Sequence, residues 1–469
     1  MRSLMRSARL LLVGGAGILV IASPLFAHGK LLSSDPVAGS RLTISPKTVR
    51  LDFSEAAELR FTRVSIVTSR GDTIALVALR HPGDSSRSVI ADVPGKLPMG
   101  DLRIIWRMAS ADGHPTRGEI LFSIVAAIQP GADSSTFRDS GVAAVRPPIT
   151  TAPEIPGFGV QSPLYVVIRW LEFCALLTVI GTVAFRNLVL PRIRTRTTGS
   201  GIDETTRRAA MWGRNAALAL AVTAVLRLVA QAVAMGVAGT PMQITEGPGV
   251  FLATAWGRAW IVQMVVAVIA ALIFNRAGSG RGDDKSARTI WQLATVATLM
   301  LAVTPALSGH AAAASRLWGG AIVVDAAHVI GAGGWLGTLL LTLAVGLREP
   351  MGATSPDLHA AELFNAFSPV ALMFGGLAAI TGVTSGWLNL GSFSALVGSS
   401  YGKVLLIKLA LVFLVGAAGA YNWLRARPAL GRGFGTRAIR RSASLEIGLG
   451  IAVLLVTAIL VAVPTPFPQ

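Results

Sequence analysis

The sequence predicts a chain in two parts: an N-terminal all-β sandwich or Greek-key barrel, then an all-α polytopic membrane bundle of about eight transmembrane helices. Three observations carry this. Leu102, Ile104, Trp106 and Met108 alternate with Arg103 and Arg107, the two-residue period of a half-buried strand. From Pro163 onward the chain offers eight apolar runs, each long enough to cross a hydrocarbon core of about 30 Å as a helix. Composition agrees, with 52% hydrophobic and 14% charged residues and a mean hydropathy of +0.61, as in a membrane protein with a smaller soluble part.

Residues 1–27 set Arg2, Arg6 and Arg9 ahead of an apolar stretch from Leu10 to Ile21, followed by Ser23-Pro24-Leu25-Phe26-Ala27. That is the pattern of a signal peptide cut after Ala27. The rival reading is an uncleaved anchor helix, for which the apolar run is short. Residues 28–126 form the β domain, with further strands predicted at Val49–Phe53, Arg63–Thr68, Thr73–Leu79, Ser88–Val93 and Glu119–Val125. Turns such as Arg70-Gly71-Asp72 and His81-Pro82-Gly83-Asp84 separate them, and His81 reads as a solvated loop residue. Residues 127–162 lose periodicity and collect Pro, Gly, Ser and Thr, a semi-extended linker. The membrane domain occupies 163–465.

The eight spans lie near 163–190, 209–235, 255–275, 289–307, 317–346, 364–390, 402–424 and 443–464. Between them, segments 191–208, 276–288 and 425–442 carry five, four and six Lys or Arg, whereas 236–254 and 391–401 carry none and 308–316 only Arg316. Positive-inside logic places the basic loops in the cytoplasm and the β domain and C-terminus outside. The signal peptide demands the same orientation. The net charge of +18 thus belongs to membrane topology and argues against a nucleic-acid partner. One cysteine, Cys174, within an apolar run excludes a disulfide framework, a thiolate metal site and c-type haem attachment. No Walker A sequence occurs, so the chain encodes no ATP-driven pump.

Cleavage after Ala27 makes His28 the new N-terminus, with an amine and an imidazole on one residue. Asp112 and His114, two apart within Ser110-Ala111-Asp112-Gly113-His114-Pro115, present their side chains on one face of an extended segment. Together they offer nitrogen, nitrogen, oxygen and nitrogen donors, a set suited to tetragonal Cu(II). The amine and both imidazoles must be unprotonated to bind, so affinity falls with pH. The plainer reading makes Asp112 and His114 turn residues beside Pro115. Glu55 either orients His28 from outside the ligand shell or is an exposed strand-end carboxylate.

In the membrane, Asp325 and His328 sit three apart on one helix face, well inside the fifth span, where ionisable groups are costly and usually functional. Trp335 continues that face, and His310 falls in the outer loop at the mouth of the same path. Met373 in the sixth span is either a soft ligand for Cu(I) or packing. Arg169 and Glu172, three apart in the first span, read as partners of each other. Arg227, Lys403 and Lys408 read as counter-charges to Asp325 or Glu172, or as snorkelling cations. His359 falls in a cytoplasmic segment with no assigned role.

The β domain resembles the periplasmic copper-binding protein CopC. The likeness rests on His28-Gly29-Lys30-Leu31-Leu32 with Asp35-Pro36, on Val49 to Glu55, and on Ser110 to Pro115 followed by Gly118 and Phe122. It implies Cu(II) held by His28, Asp112 and His114. With only Met99 and Met108 in the domain, and those not clustered, it implies no methionine-rich Cu(I) site. The membrane region resembles CopD, most strongly over 305–425, through Ser308-Gly309-His310-Ala311, Asp325 to His328, Gly333-Gly334-Trp335 with Gly337, Phe367-Ser368, Thr381-Gly382 and Tyr401-Gly402-Lys403 with Lys408. The first four spans match mainly in hydropathy.

These resemblances imply a copper transport or homeostasis protein in a bacterial cytoplasmic membrane, and not an enzyme. The outer domain captures Cu(II) and passes copper inward along His310, Asp325 and His328, with Cu(I) the alternative state in the bilayer and an outer copper donor or reductase as partner. Two other readings stay open: a membrane redox enzyme holding copper or haem, and a copper sensor or scaffold without transport.

Overall fold

A computed structural model describes residues 31–54, 56–59, 62–83, 85–109, 115–126, 162–193, 200–236, 255–280, 284–308, 318–348, 356–426 and 435–463. They divide into two compact units, a β domain and a helical bundle.

The β domain contains β1 (Leu31–Asp35), β2 (Arg41–Leu42), β3 (Thr48–Phe53), β4 (Arg63–Thr68), β5 (Thr73–Ala75), β6 (Val77–Arg80), β7 (Ser88–Asp92), β8 (Gly100–Ala109) and β9 (Pro115–Ile124). One sheet runs β1-β3-β7-β6 and the other β2-β9-β8-β4-β5. All pairings are antiparallel except β2 with β9. Alternation explains the sandwich. Val49, Leu51 and Phe53 on β3 and Leu102, Ile104, Trp106 and Met108 on β8 point into one core with Ile66, Val89, Ile120 and Phe122. The strand predicted over Thr73–Leu79 is instead two strands in different sheets. Leu76 is buried between them and Ala78 takes a positive φ of 50°, so the chain turns a corner there and crosses the core.

The bundle comprises α1 (Pro163–Ala184), α2 (Ser200–Gly236), α3 (Ala255–Gly278), α4 (Asp284–Leu307), α5 (Trp318–Ala332), α6 (Thr338–Ala344), α7 (Pro356–Leu390), the short α8 (Phe393–Gly398), α9 (Ser400–Tyr421) and α10 (Gly435–Leu460). Eight of its segments are long and apolar enough to cross a membrane, matching the eight spans read from the sequence. α2 and α7 begin well before the predicted spans, and α8 occupies a predicted loop. Three helices pass into π-helical turns: Phe185–Val189 after α1, Gly333–Gly337 joining α5 to α6, and Asn422–Ala426 after α9. α1 is the hub, packing against α2, α4, α6, α10 and the Gly333–Gly337 turn. Its closest crossing is glycine on glycine: a Cβ on Gly337 would lie 2.0 Å from the Leu177 carbonyl oxygen, and one on Gly181 2.1 Å from the Gly337 carbonyl carbon.

Candidate functional site

His28, Glu55, Asp112, His114 and His310 lie outside the described residues. The residues flanking the two predicted ligand segments of the β domain are described. Leu31 opens β1 opposite Phe53, and Phe53 packs edge-on against Trp106 of β8 with ring centroids 5.0 Å apart. β8 and β9 remain paired as far as Ala109 and Pro115. Among the described residues, no three His, Cys, Asp or Glu side chains gather into a metal-holding group.

In the bundle, α5 aims both of its predicted residues at α7. His328 Nδ1 lies 3.0 Å from the Ala378 carbonyl oxygen and 3.3 Å from Thr381 Oγ1. A carbonyl only accepts, so Nδ1 carries the proton and Nε2 keeps its lone pair, with no hydrogen-bonding partner among the described residues. Thr381 spends its own hydroxyl proton on the Leu377 carbonyl at 2.6 Å, which leaves its oxygen to receive from His328. The ring lies close over Gly382, where a Cβ would come within 3.0 Å of Cε1. One turn along α7, Ser385 Oγ donates to Asp325 Oδ1 at 2.9 Å, and Asn389 donates to the Ser385 carbonyl. Lys408 of α9 is within electrostatic reach of both Asp325 and His328.

Two candidates fall elsewhere. Met373 is 55% exposed, on the face of α7 shared with Leu372, Ile380 and Val383, opposite the side that meets His328. It is an exposed position and does not join the cluster. Trp335, within the Gly333–Gly337 turn, still packs its ring on α7, where a Cβ on Gly375 would lie 3.6 Å from it, but its polar end turns to α10. Its indole N–H, a donor only, goes to Glu446 Oε1 of α10 at 3.2 Å. His359 is buried and bonded to the Gly346 carbonyl at 2.8 Å, so it ties α7 to the end of the preceding helix.

A second polar cluster joins α1 to α4. Glu172 pairs with Arg227 at 3.1 Å and accepts from Gln263 at 2.6 Å. This corrects the expected Arg169–Glu172 pair: Arg169 instead stacks over the Tyr165 ring at 5.0 Å, while Tyr165 donates to Gln231 at 2.8 Å. Arg227 also reaches Ser308 Oγ at 3.4 Å and lies over the Trp256 ring. The third site, Glu446, escaped sequence reasoning; its only signal was a lone acid within an apolar run.

These features define a class: an extramembrane β-sandwich joined to a multi-pass helical bundle with ionisable groups in its interior. Family comparison gives it an identity. The CopC domain matches residues 31–125, the Copper resistance protein D-like N-terminal domain residues 160–320, and Copper resistance protein D residues 361–460. The N-terminal domain belongs to the CopC family, and in this chain it is joined to a CopD-like membrane region. The first four spans therefore carry family likeness beyond hydropathy, and Asp325, His328 and Trp335 fall between the two membrane matches. Copper transport protein CutJ of Bacillus subtilis is 28% identical over 444 residues, covering 94% of this chain and 75% of that one. Copper resistance protein C of Xanthomonas campestris pv. juglandis is 33% identical over 106 residues, covering 21% of this chain and 81% of that one. The crystal structure of CopC from Methylosinus trichosporium OB3b aligns at 28% identity with a TM-score of 0.20, covering 22% of this chain and 98% of that one.

Proposed function

We propose that the protein moves copper inward across the cytoplasmic membrane, with the β domain outside as the capture site. His28, Asp112 and His114 hold Cu(II) there, with Glu55 beside His28. Copper then passes by way of His310 to Asp325 and His328, and the C-terminus lies outside with the β domain. The observation that carries this reading is the setting of His328. Metal-binding histidines characteristically give one ring N–H to a carbonyl or carboxylate, which fixes the tautomer and turns the other nitrogen toward the ion. His328 has that arrangement, with Ala378 as the anchor and Nε2 left over. The neighbouring Asp325 supplies negative charge for a cation in a medium where charge is otherwise excluded. The copper transport and resistance roles named in the relatives support copper as the cargo.

The test is copper uptake by proteoliposomes holding the full chain, His328→Ala, or His28→Ala. Uptake lost in His328→Ala and needing more external copper in His28→Ala is expected. Tight Cu(II) binding without copper entry would overturn transport and leave a sensor, scaffold or redox protein.

A further inference from the structure

We infer that Glu446 is a proton-binding site inside the bundle, loaded and emptied in exchange for the cation that the path carries; this rests on the copper reading above. Glu446 sits well within α10, 4% exposed. It accepts from Trp335 Nε1 at 3.2 Å and from Asn422 Nδ2 at 3.1 Å, and among the described residues no cation pairs with it. Among the described side chains, which do not include Arg425 of the Asn422–Ala426 turn, the following ionisable groups on the elements packed around α10 are committed elsewhere or turned away. Glu172 of α1 pairs with Arg227 and Arg169 stacks on Tyr165. Lys408 of α9 answers to Asp325, and Lys403 is exposed. His359 of α7 is bonded to Gly346, and Arg440 and Arg441 of α10 itself are exposed. A buried carboxyl without a counter-charge takes up a proton in place of bearing the cost of an isolated charge.

The Asn422 amide is able to serve either protonation state of Glu446. Its Nδ2 donates to Glu446, while its Oδ1 is buried with no hydrogen-bond partner. An orphaned buried acceptor is costly. Rotating that amide by half a turn presents Oδ1 to Glu446, where it accepts the O–H of the protonated acid. The carboxylate is served by one orientation and the carboxylic acid by the other, and Trp335 donates to both. Both partners stand in π-helical turns, Gly333–Gly337 and Asn422–Ala426, a helix defect that recurs at functional sites. Gly419 borders the carboxyl, where a Cβ would stand in van der Waals contact, 3.5 Å from Glu446 Oε1. As copper enters, Glu446 releases its proton in the opposite direction, which offsets one unit of the incoming charge.

The full chain is reconstituted in liposomes with a pH-sensitive dye inside and copper outside. The lumen is expected to turn alkaline as copper enters, and Glu446→Gln, of the same shape, is expected to lower the copper-linked proton signal at least about fivefold. Copper entry without proton movement in the unaltered protein, or an undiminished proton signal in Glu446→Gln, would overturn the inference. Absence of any copper entry would overturn the transport reading itself, a separate result. Infrared titration of the solubilised protein gives an independent readout: a protonated-carboxyl carbonyl band that follows pH and is missing in Glu446→Gln supports the site. No such band at any pH overturns it.

Discussion

His328 is specified by three neighbours, and each has its own consequence. Thr381→Val removes the second acceptor at Nδ1 while leaving the Ala378 carbonyl, so the ring loosens without losing its tautomer. Loss of such an outer partner typically lowers metal affinity about tenfold or more, read as a rise in the copper concentration for half-maximal uptake. Gly382→Ala forces the ring away from a Cβ 3.0 Å from Cε1 and is expected to weaken uptake as well. In the β domain, Asp52 illustrates a different economy of charge. Burial pushes its carboxyl up, but hydrogen bonds from Ser33 and Ser88 and the adjacent Arg50 hold it below the usual carboxylate range. A depressed folded value stabilises above the unfolded pKa of about 3.9, and that contribution is lost as pH falls through the folded value. Since the Arg50–Asp52 pair is partly exposed, the effect stays under about 1 kcal/mol. Ser33→Ala should reduce it, seen as a smaller difference in β-domain stability between neutral and acid pH.

At the scale of elements, the Gly333–Gly337 turn lets α5 and α6 lie against α1 with backbone touching backbone. Gly337→Ala puts a methyl 2.0 Å from a main-chain oxygen that no rotamer change can move. Overpacking of that kind costs at least about 1–3 kcal/mol, measured as a lower midpoint of thermal unfolding in detergent. Gly376→Ala is the control, for nothing lies within 4 Å of its Cβ and helix propensity alone favours alanine by about 1 kcal/mol. The span pattern was legible in the sequence because twenty apolar residues between basic loops leave few alternatives. The π-turns were not: a π-turn is set by packing between helices, and nothing in Gly-Gly-Trp-Leu-Gly distinguishes it from ordinary helix. For the same reason the Trp335 bond to Glu446 could not be read from spacing. The corner at Leu76 to Ala78 was hidden because both halves of that run alternate correctly, and only pairing shows that they serve different sheets. Of the candidate site, the choice of Asp325 and His328 needed only their cost within an apolar span. Met373 was ambiguous because helical position alone does not say which face meets lipid.

Across the whole bundle, buried charge is sorted. The α1–α4 side holds Arg169 and Arg227 against one carboxylate, Glu172, all three nearly inaccessible, an excess of positive charge that repels a metal cation. The side built from α5, α7, α9 and α10 holds Asp325, His328 and Glu446, with Lys408 balanced by Asp325, and so carries no excess of positive charge. A cation therefore has a reason to travel on one side and not the other, and the two sides should fail differently when altered. Glu172→Gln strips the buried Arg227 guanidinium of the carboxylate it pairs with, and breaking a buried pair in this way costs about 3–5 kcal/mol. The expected outcome is a large fall in the unfolding midpoint and in the yield of folded protein, with copper flux per folded molecule nearly unchanged. His328→Ala removes a partly buried ring held by a single carbonyl and a shared hydroxyl, so its stability should drop far less while flux per molecule disappears. Measuring unfolding and uptake on the same preparations separates the two. A Glu172→Gln protein that folds normally yet carries no copper would place the path on the α1–α4 side and reverse the assignment.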